Sequence, residues 1–375
     1  MKRKLSEVCK FQYGFPFDSS LFSDTNGTPV IRIRDIVRGF SETKTTETCS
    51  TDYIVDNDDI LIGMDGEFNI SKWKGGKAFL NQRVCKLIPF DVNKDYIFYH
   101  LPKILKIIEE KTSFVTVKHL SAKQLNSIYI DIPEQTIQYK IANVFINIDS
   151  LINKRKQQLS KLDQLVKSRF IEMFGDPVAN DKNWITEELD SICSTIVDCP
   201  HSTPNYTTKN TGYMCIRSSI VKKNHILWDK IEYIPEHEYH QRILRKKPEK
   251  GDIIYTREGA ILGIAAIIDR DCNVALGQRS MLLSPNSSKC LPQFLSVAMN
   301  FDSFLRKALG DISGSASPHI NVGDIKAFAI ILPPLPLQKQ FADFVQQVDK
   351  EKSSVEQSLE KLETLKKSLM QEYFG

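Results

Sequence analysis

The chain has 375 residues, too many for one ordinary core, with 41% hydrophobic and 26% charged side chains, a composition that fits two or more globular domains. No run of about 18 apolar residues is present, and the MKRKLSEV start lacks a signal-peptide core, so a cytoplasmic protein without a membrane segment is expected. Eight cysteines without a CxxC pair argue against a zinc ribbon or a secreted disulfide framework, and a net charge of +4 permits nucleic acid without demanding it.

In chain order, residues 1–132 read as a mixed α/β unit. Short alternating segments such as PVIRI (29–33) and DILIGMDG (59–66) predict strands of a curved sheet. NQR (81–83) follows, then a helical stretch, IFYHLPKILKIIEE, and a polar turn with His119. From Pro133 to Gly175 the pattern changes to one long helix, opened by proline and closed by glycine. Its apolar stripe is Ile141, Val144, Ile148, Leu151, Leu159, Leu162, Val166 and Met173, interrupted at Arg155. GDPVANDKNW (175–184) is a turn-rich linker. Residues 176–332 then echo the first unit: YMCIR (213–217), DIIYTREG (252–259), GQR (277–279), the helical stretch QFLSVAMNFDSFLRKAL, and a polar turn with His319. A second long helix occupies 333–375, with Val348, Val355, Leu362 and Leu369 seven apart and Phe344, Leu359 and Leu365 on the same side.

The two helical segments are copies. Residues 132–175 placed on 332–375 without a gap give 14 identities in 44 columns, from Pro133/Pro333 to Gly175/Gly375. Random pairing would give about three, so the chain is an internal duplication. Each helix of about 40 residues would reach roughly 60 Å and needs a partner for its stripe. Residues 135–175 hold 7 basic and 3 acidic groups, and 335–375 hold 6 and 7, so the copies attract each other. The first helix must deliver the chain to the second unit and the second helix runs back, which makes the pair antiparallel. The expected fold is therefore α/β (α+β): two mixed α/β domains separated by paired antiparallel helices forming a coiled coil, with a pseudo-two-fold internal repeat.

This order of a globular unit, a proline-opened helix ending in MFGDP, a second unit, PPLPLQ and a closing helix is similar to the DNA-specificity subunit of type I restriction-modification systems. KLSEVCKFQYGFPFDSSLF with PVIRIRDI, and ITEELDSICSTIVDCPHST, resemble the starts of that family's target-recognition domains. The resemblance spans essentially the whole chain. It implies that each domain reads one half of an asymmetric bipartite site on double-stranded DNA, that the helices set the spacer and dock two methyltransferase subunits, and that motor-nuclease subunits join the complex. IPEQTIQ lacks the second proline and the leucine usual in the family, so a looser start is expected for the first helix.

Arginine suits guanine, and asparagine or glutamine suits adenine. Polar residues between the strands are therefore the candidate DNA contacts: Arg32, Arg34, Lys72, Lys74, Gln82, Arg83, Lys118 and His119 in the first unit, and His201, Ser202, Arg217, Arg257, Gln278, Arg279, Ser317 and His319 in the second. SKWKGGK (71–77) suits a phosphate track. Any one of these is as well explained as a solvated charge or a turn-stabilising group, and Gln82 and Gln278 equally as shared core polar groups. HEYH (237–240) is one residue short of the zincin spacing, Cys199 and His201 lack two further ligands nearby, and GGKA is no phosphate loop. The amino-methyltransferase tetrapeptide is also missing, so no catalysis, metal or cofactor is expected. A tandem protein-interaction scaffold with a coiled-coil spacer is the alternative, and a stand-alone enzyme with unfamiliar catalytic positions a third reading.

Overall fold

A computed structural model describes residues 1–112, 118–310 and 319–375. They form two compact units, one of Met1–Lys156 with Gln357–Gly375 and the other of Gln157–Glu356.

In the first unit, a five-stranded sheet runs in the order Phe22–Ser23, Lys44–Thr45, Thr28–Ile31, Ala78–Leu80, Ile54–Val55. A four-stranded sheet follows the order Cys9–Tyr13, Val84–Pro89, Ile60–Gly63, Ile70–Lys72. The middle strand Ile60–Gly63 is buried along its length, as its unbroken apolar run demands. The expected helix spans Lys94–Lys111 and packs Tyr96, Ile97, Leu101 and Leu105 into the core.

The second unit repeats this plan. Its four-stranded sheet has the order Cys193–Asp198, Ser280–Pro285, Ile253–Thr256, Ala265–Ile267, and Glu232–Tyr233, Met214–Ile216 and Val274–Leu276 form a three-stranded sheet. One sequence expectation changes here: QFLSVAMNFDSFLRKAL is two helices, Pro292–Met299 and Asp302–Leu309. Between them the buried Asn300 donates to the Ala265 carbonyl at 2.7 Å and accepts from the Ala265 N–H at 3.0 Å, fixing a corner against the sheet. A buried amide satisfied on both sides outweighs the gain of continuing one helix.

The long helices are Gln135–Phe174 and Leu335–Phe374, 40 residues each. They pack together and run antiparallel. In the first unit Asp149 pairs with Lys366 at 2.5 Å and Lys156 with Glu363 at 3.3 Å; in the second, Asp163 pairs with Lys352 at 2.5 Å. The seam differs from the expected stripe at two leucines: Leu151 and Leu365 are exposed, whereas Ile152, Phe170 and Phe174 are buried. Steps of four, three and four from Ile141 through Phe145 and Ile148 lead to Ile152, and Leu151 falls one position off that line.

The first helix starts no more loosely than the second, contrary to the expectation from IPEQTIQ. Gln138 donates to the Pro133 carbonyl and accepts from the Asn93 N–H, both at 2.8 Å. Gln338 makes the same pair with Pro333 and Leu291, also at 2.8 Å. The glutamine shared by the repeats does the work assigned to the missing proline. No helix among the described residues is long and apolar enough to cross a membrane.

Candidate nucleic-acid interface

One end of the sheets gathers the same residue types in both units, and strand register explains how. In the first unit Thr28–Ile31 and Ala78–Leu80 are parallel, with Ile31 opposite Leu80, so Arg32 and the Asn81–Gln82–Arg83 turn leave at the same end. Val84 lies opposite Gly63, which carries Met64, Asp65 and Gly66 to that end, and the Met64 N–H donates to the Arg83 carbonyl at 3.0 Å. Lys118 and His119 close the group: the Gly66 N–H donates to the Lys118 carbonyl at 2.8 Å, and His119 bridges Asp65. In the second unit Ile216 lies opposite Leu276 in a parallel pair, delivering Arg217 beside Gly277–Gln278–Arg279. The Arg257 N–H donates to the Arg279 carbonyl at 2.9 Å, and His319 bridges Glu258.

Charge is distributed differently over this shared frame. In the first unit Asp65 holds Arg83 at 3.0 Å and meets His119 Nδ1 at 2.5 Å. Lys118 stands 4.0 Å from Glu109. Arg32 and Gln82 are exposed. Arg34 lies on the helix Ile33–Arg38 and donates to Thr43 Oγ1 at 3.2 Å.

Lys72 and Lys74 do not join this group. Lys72 lies opposite Ile60, at the far end of its strand pair from Asp65, and is taken up by Asp95 and by Asp58 at 3.1 Å. Burial would raise the Asp58 carboxyl, but its bonds to Lys94 and Lys72 hold it below the usual carboxylate range. Lys74 and Lys77 stand exposed on the glycine turn that folds over Trp73, whose Nε1 donates to the Gly76 carbonyl at 2.6 Å. A Cβ on Gly75 would come within 2.5 Å of the Trp73 ring, so this turn requires glycine.

In the second unit Arg257 is buried and clamped by Asp198 at 2.9 and 3.0 Å and Glu258 at 2.7 Å. Burial alone would lower its guanidinium, but the bonds to Asp198 reverse this and raise it above the ordinary arginine value. Arg217 lies 4.4 Å from the Tyr206 ring centroid and 2.6 Å from Glu232, whose hydrogen bond raises it further. Gln278 donates to the His201 carbonyl, His201 Nε2 stands 3.2 Å from Asp198, and Ser202 accepts from Arg242. Arg279 is exposed with φ at +69°. Ser317 lies outside the described residues.

Reading the sequence for DNA contacts missed the acids Asp65, Asp198 and Glu258 that hold these cations. Asp65 and Glu258 had a visible signal, one acid before the glycine in both DILIGMDG and DIIYTREG. HEYH falls in the helix Glu236–Arg242, where His240 stands 3.7 Å from Glu236.

Residues 1–161 and 181–364 match the family described as the type I restriction modification DNA specificity domain. The chain belongs to that family. Over its whole length it is 28% identical to the type I restriction enzyme EcoBI specificity subunit of Escherichia coli, covering 85% of that protein. It is 24% identical to the MjaVIII specificity subunit of Methanocaldococcus jannaschii, over 87% of this chain and 80% of the relative. The fold is similar to the type I restriction-modification S subunit from M. genitalium, with a TM-score of 0.60 at 14% identity, covering 99% of this chain and 94% of that one. A chain from a structure of a type I R-M system superposes with a TM-score of 0.53 at 15% identity, over 100% and 97% of the two chains. The specificity family thus extends over both units and most of both long helices.

Proposed function

We propose that this protein is the DNA sequence-recognition subunit of a type I restriction-modification complex, with residues 1–132 and 176–332 as its target-recognition domains. Each domain reads one half of an asymmetric bipartite site on double-stranded DNA. The helical segments 133–175 and 333–375 fix the spacer between the halves and dock two methyltransferase subunits, and motor-nuclease subunits complete the assembly. The subunit performs no chemistry itself and needs no cofactor. The observation that carries this reading is the recurrence, at one sheet end of each unit, of arginine, glutamine, an acid and a histidine on the same strand register. Arginine and glutamine present the donors and acceptors that distinguish base edges in the major groove. The sequences around them differ between the units, which makes the two half-sites different.

Selection from a random duplex pool, with and without the methyltransferase partner, tests this. Retention of one bipartite sequence, methylated only when the partner is present, is the expected result. Retention without sequence preference, or modification by this chain alone, would contradict it.

A further inference from the structure

The shared register places arginine at two equivalent positions in each unit: Arg32 corresponds to Arg217, and Arg83 to Arg279. Each unit restrains one of the two, and not the same one. In the first, Arg83 is held by Asp65 at 3.0 Å, while Arg32 is exposed with no side-chain partner among the described residues. In the second, Arg217 is held by Glu232 and the face of Tyr206, while Arg279 has no such partner among the described residues.

The backbone at Arg279 adds an independent sign. It adopts the left-handed region at φ +69°, which strains a non-glycine residue and persists only where the surroundings impose it. Its guanidinium lies over Gly259, where a Cβ would come within 3.2 Å of Nη1, so the neighbouring strand turn leaves it room. A guanidinium engaged with a carboxylate keeps fewer donors and is tethered in direction, whereas an unengaged one can turn a full pair of donors to a guanine edge.

We infer that the two domains read guanine with different arginines, Arg32 in the first and Arg279 in the second, and that Arg83 and Arg217 are positioning residues. This rests on the DNA-recognition reading above. It predicts that the halves of the target are read from different places on one frame, the strand end in the first domain and the following turn in the second.

The test is duplex-pool selection by the full chain with its methyltransferase partner. Arg279→Gly removes the side chain and relieves the left-handed strain. It should make one G·C pair in one half-site degenerate by about tenfold or more while the other half stays selected, which also reports that the protein folds. Arg32→Ala should do the same in the opposite half. Arg83→Ala and Arg217→Ala should weaken retention with both half-sequences intact. Unchanged preference in both Arg279→Gly and Arg32→Ala, uniform weakening in those two, or relaxation confined to Arg83→Ala and Arg217→Ala would overturn the assignment. A wild-type chain that selects no sequence would overturn the recognition reading itself.

Discussion

His100 is buried on the helix Lys94–Lys111, its ring 4.8 Å from that of Phe374 and 5.5 Å from that of Tyr96. Its Nδ1 has no hydrogen-bond partner among the described residues, and burial pushes it down to about 4 from the ordinary histidine value. The unfolded chain therefore takes up this proton first as pH falls. The stabilisation is complete above roughly pH 6.5 and is lost progressively down to about pH 4, amounting to about 3 kcal/mol. Thermal unfolding followed from pH 7 to pH 4 should show that decline in the first unit, and His100→Leu should flatten it. An unaltered pH profile in the variant would remove His100 as the cause. The repeated glutamines work in a different way, since each satisfies backbone groups at a helix start. Gln338 is fully buried and also donates to the Lys289 carbonyl at 3.1 Å. Replacing it with leucine leaves up to three backbone groups unpaired at about 1–3 kcal/mol each, so Gln338→Leu should lower the unfolding midpoint, and Gln338→Glu, whose carboxylate can accept from the Leu291 N–H but cannot donate to the Pro333 and Lys289 carbonyls, should lower it as well.

At the level of the element, the ends of the long helices bury clusters of phenylalanine rings. Phe174 is fully buried among Phe170, Phe294 and Phe341, with centroids 4.9 to 5.4 Å apart. Phe374, its counterpart in the repeat, packs on Phe145 and Tyr96 and keeps 9% of its surface exposed. Phe174→Ala should cost about 3–5 kcal/mol, and Phe374→Ala less, as read by denaturant unfolding. Equal losses would mean that burial at the two ends has been misjudged. Both helices were legible in the sequence because a seven-residue spacing, a proline start and a glycine stop all act locally. Which of two adjacent residues faces the seam is not legible: Leu151 fits the spacing as well as Ile152, and only Ile152 is buried. Asn300 was equally hidden, since its partners in the sheet lie 35 residues away. The candidate interface divides in the same way. Its arginines and glutamines were visible as recurring short motifs, but the clamps on them were not, because Asp198 meets Arg257 across 59 residues of chain.

For the whole molecule, the duplication itself makes a prediction. Phe374–Gly375 ends the second helix just as Phe174–Gly175 ends the first, so joining Gly375 to Asp176 recreates the natural Phe-Gly-Asp-Pro junction. A chain made of residues 176–375 twice would carry two second helices, which keep two of the three natural ion pairs and replace Lys156–Glu363 with Glu356 facing Glu363. In the natural pair Asp149 meets Lys366 and Lys352 meets Asp163; the equivalents here are Asp349 with Lys366 and Lys352 with Glu363. The most direct test is the sequence this doubled chain selects from a random duplex pool in the presence of the methyltransferase. An inverted repeat of the half-site read by the second domain is expected. An asymmetric target, a direct repeat or no preference would contradict it.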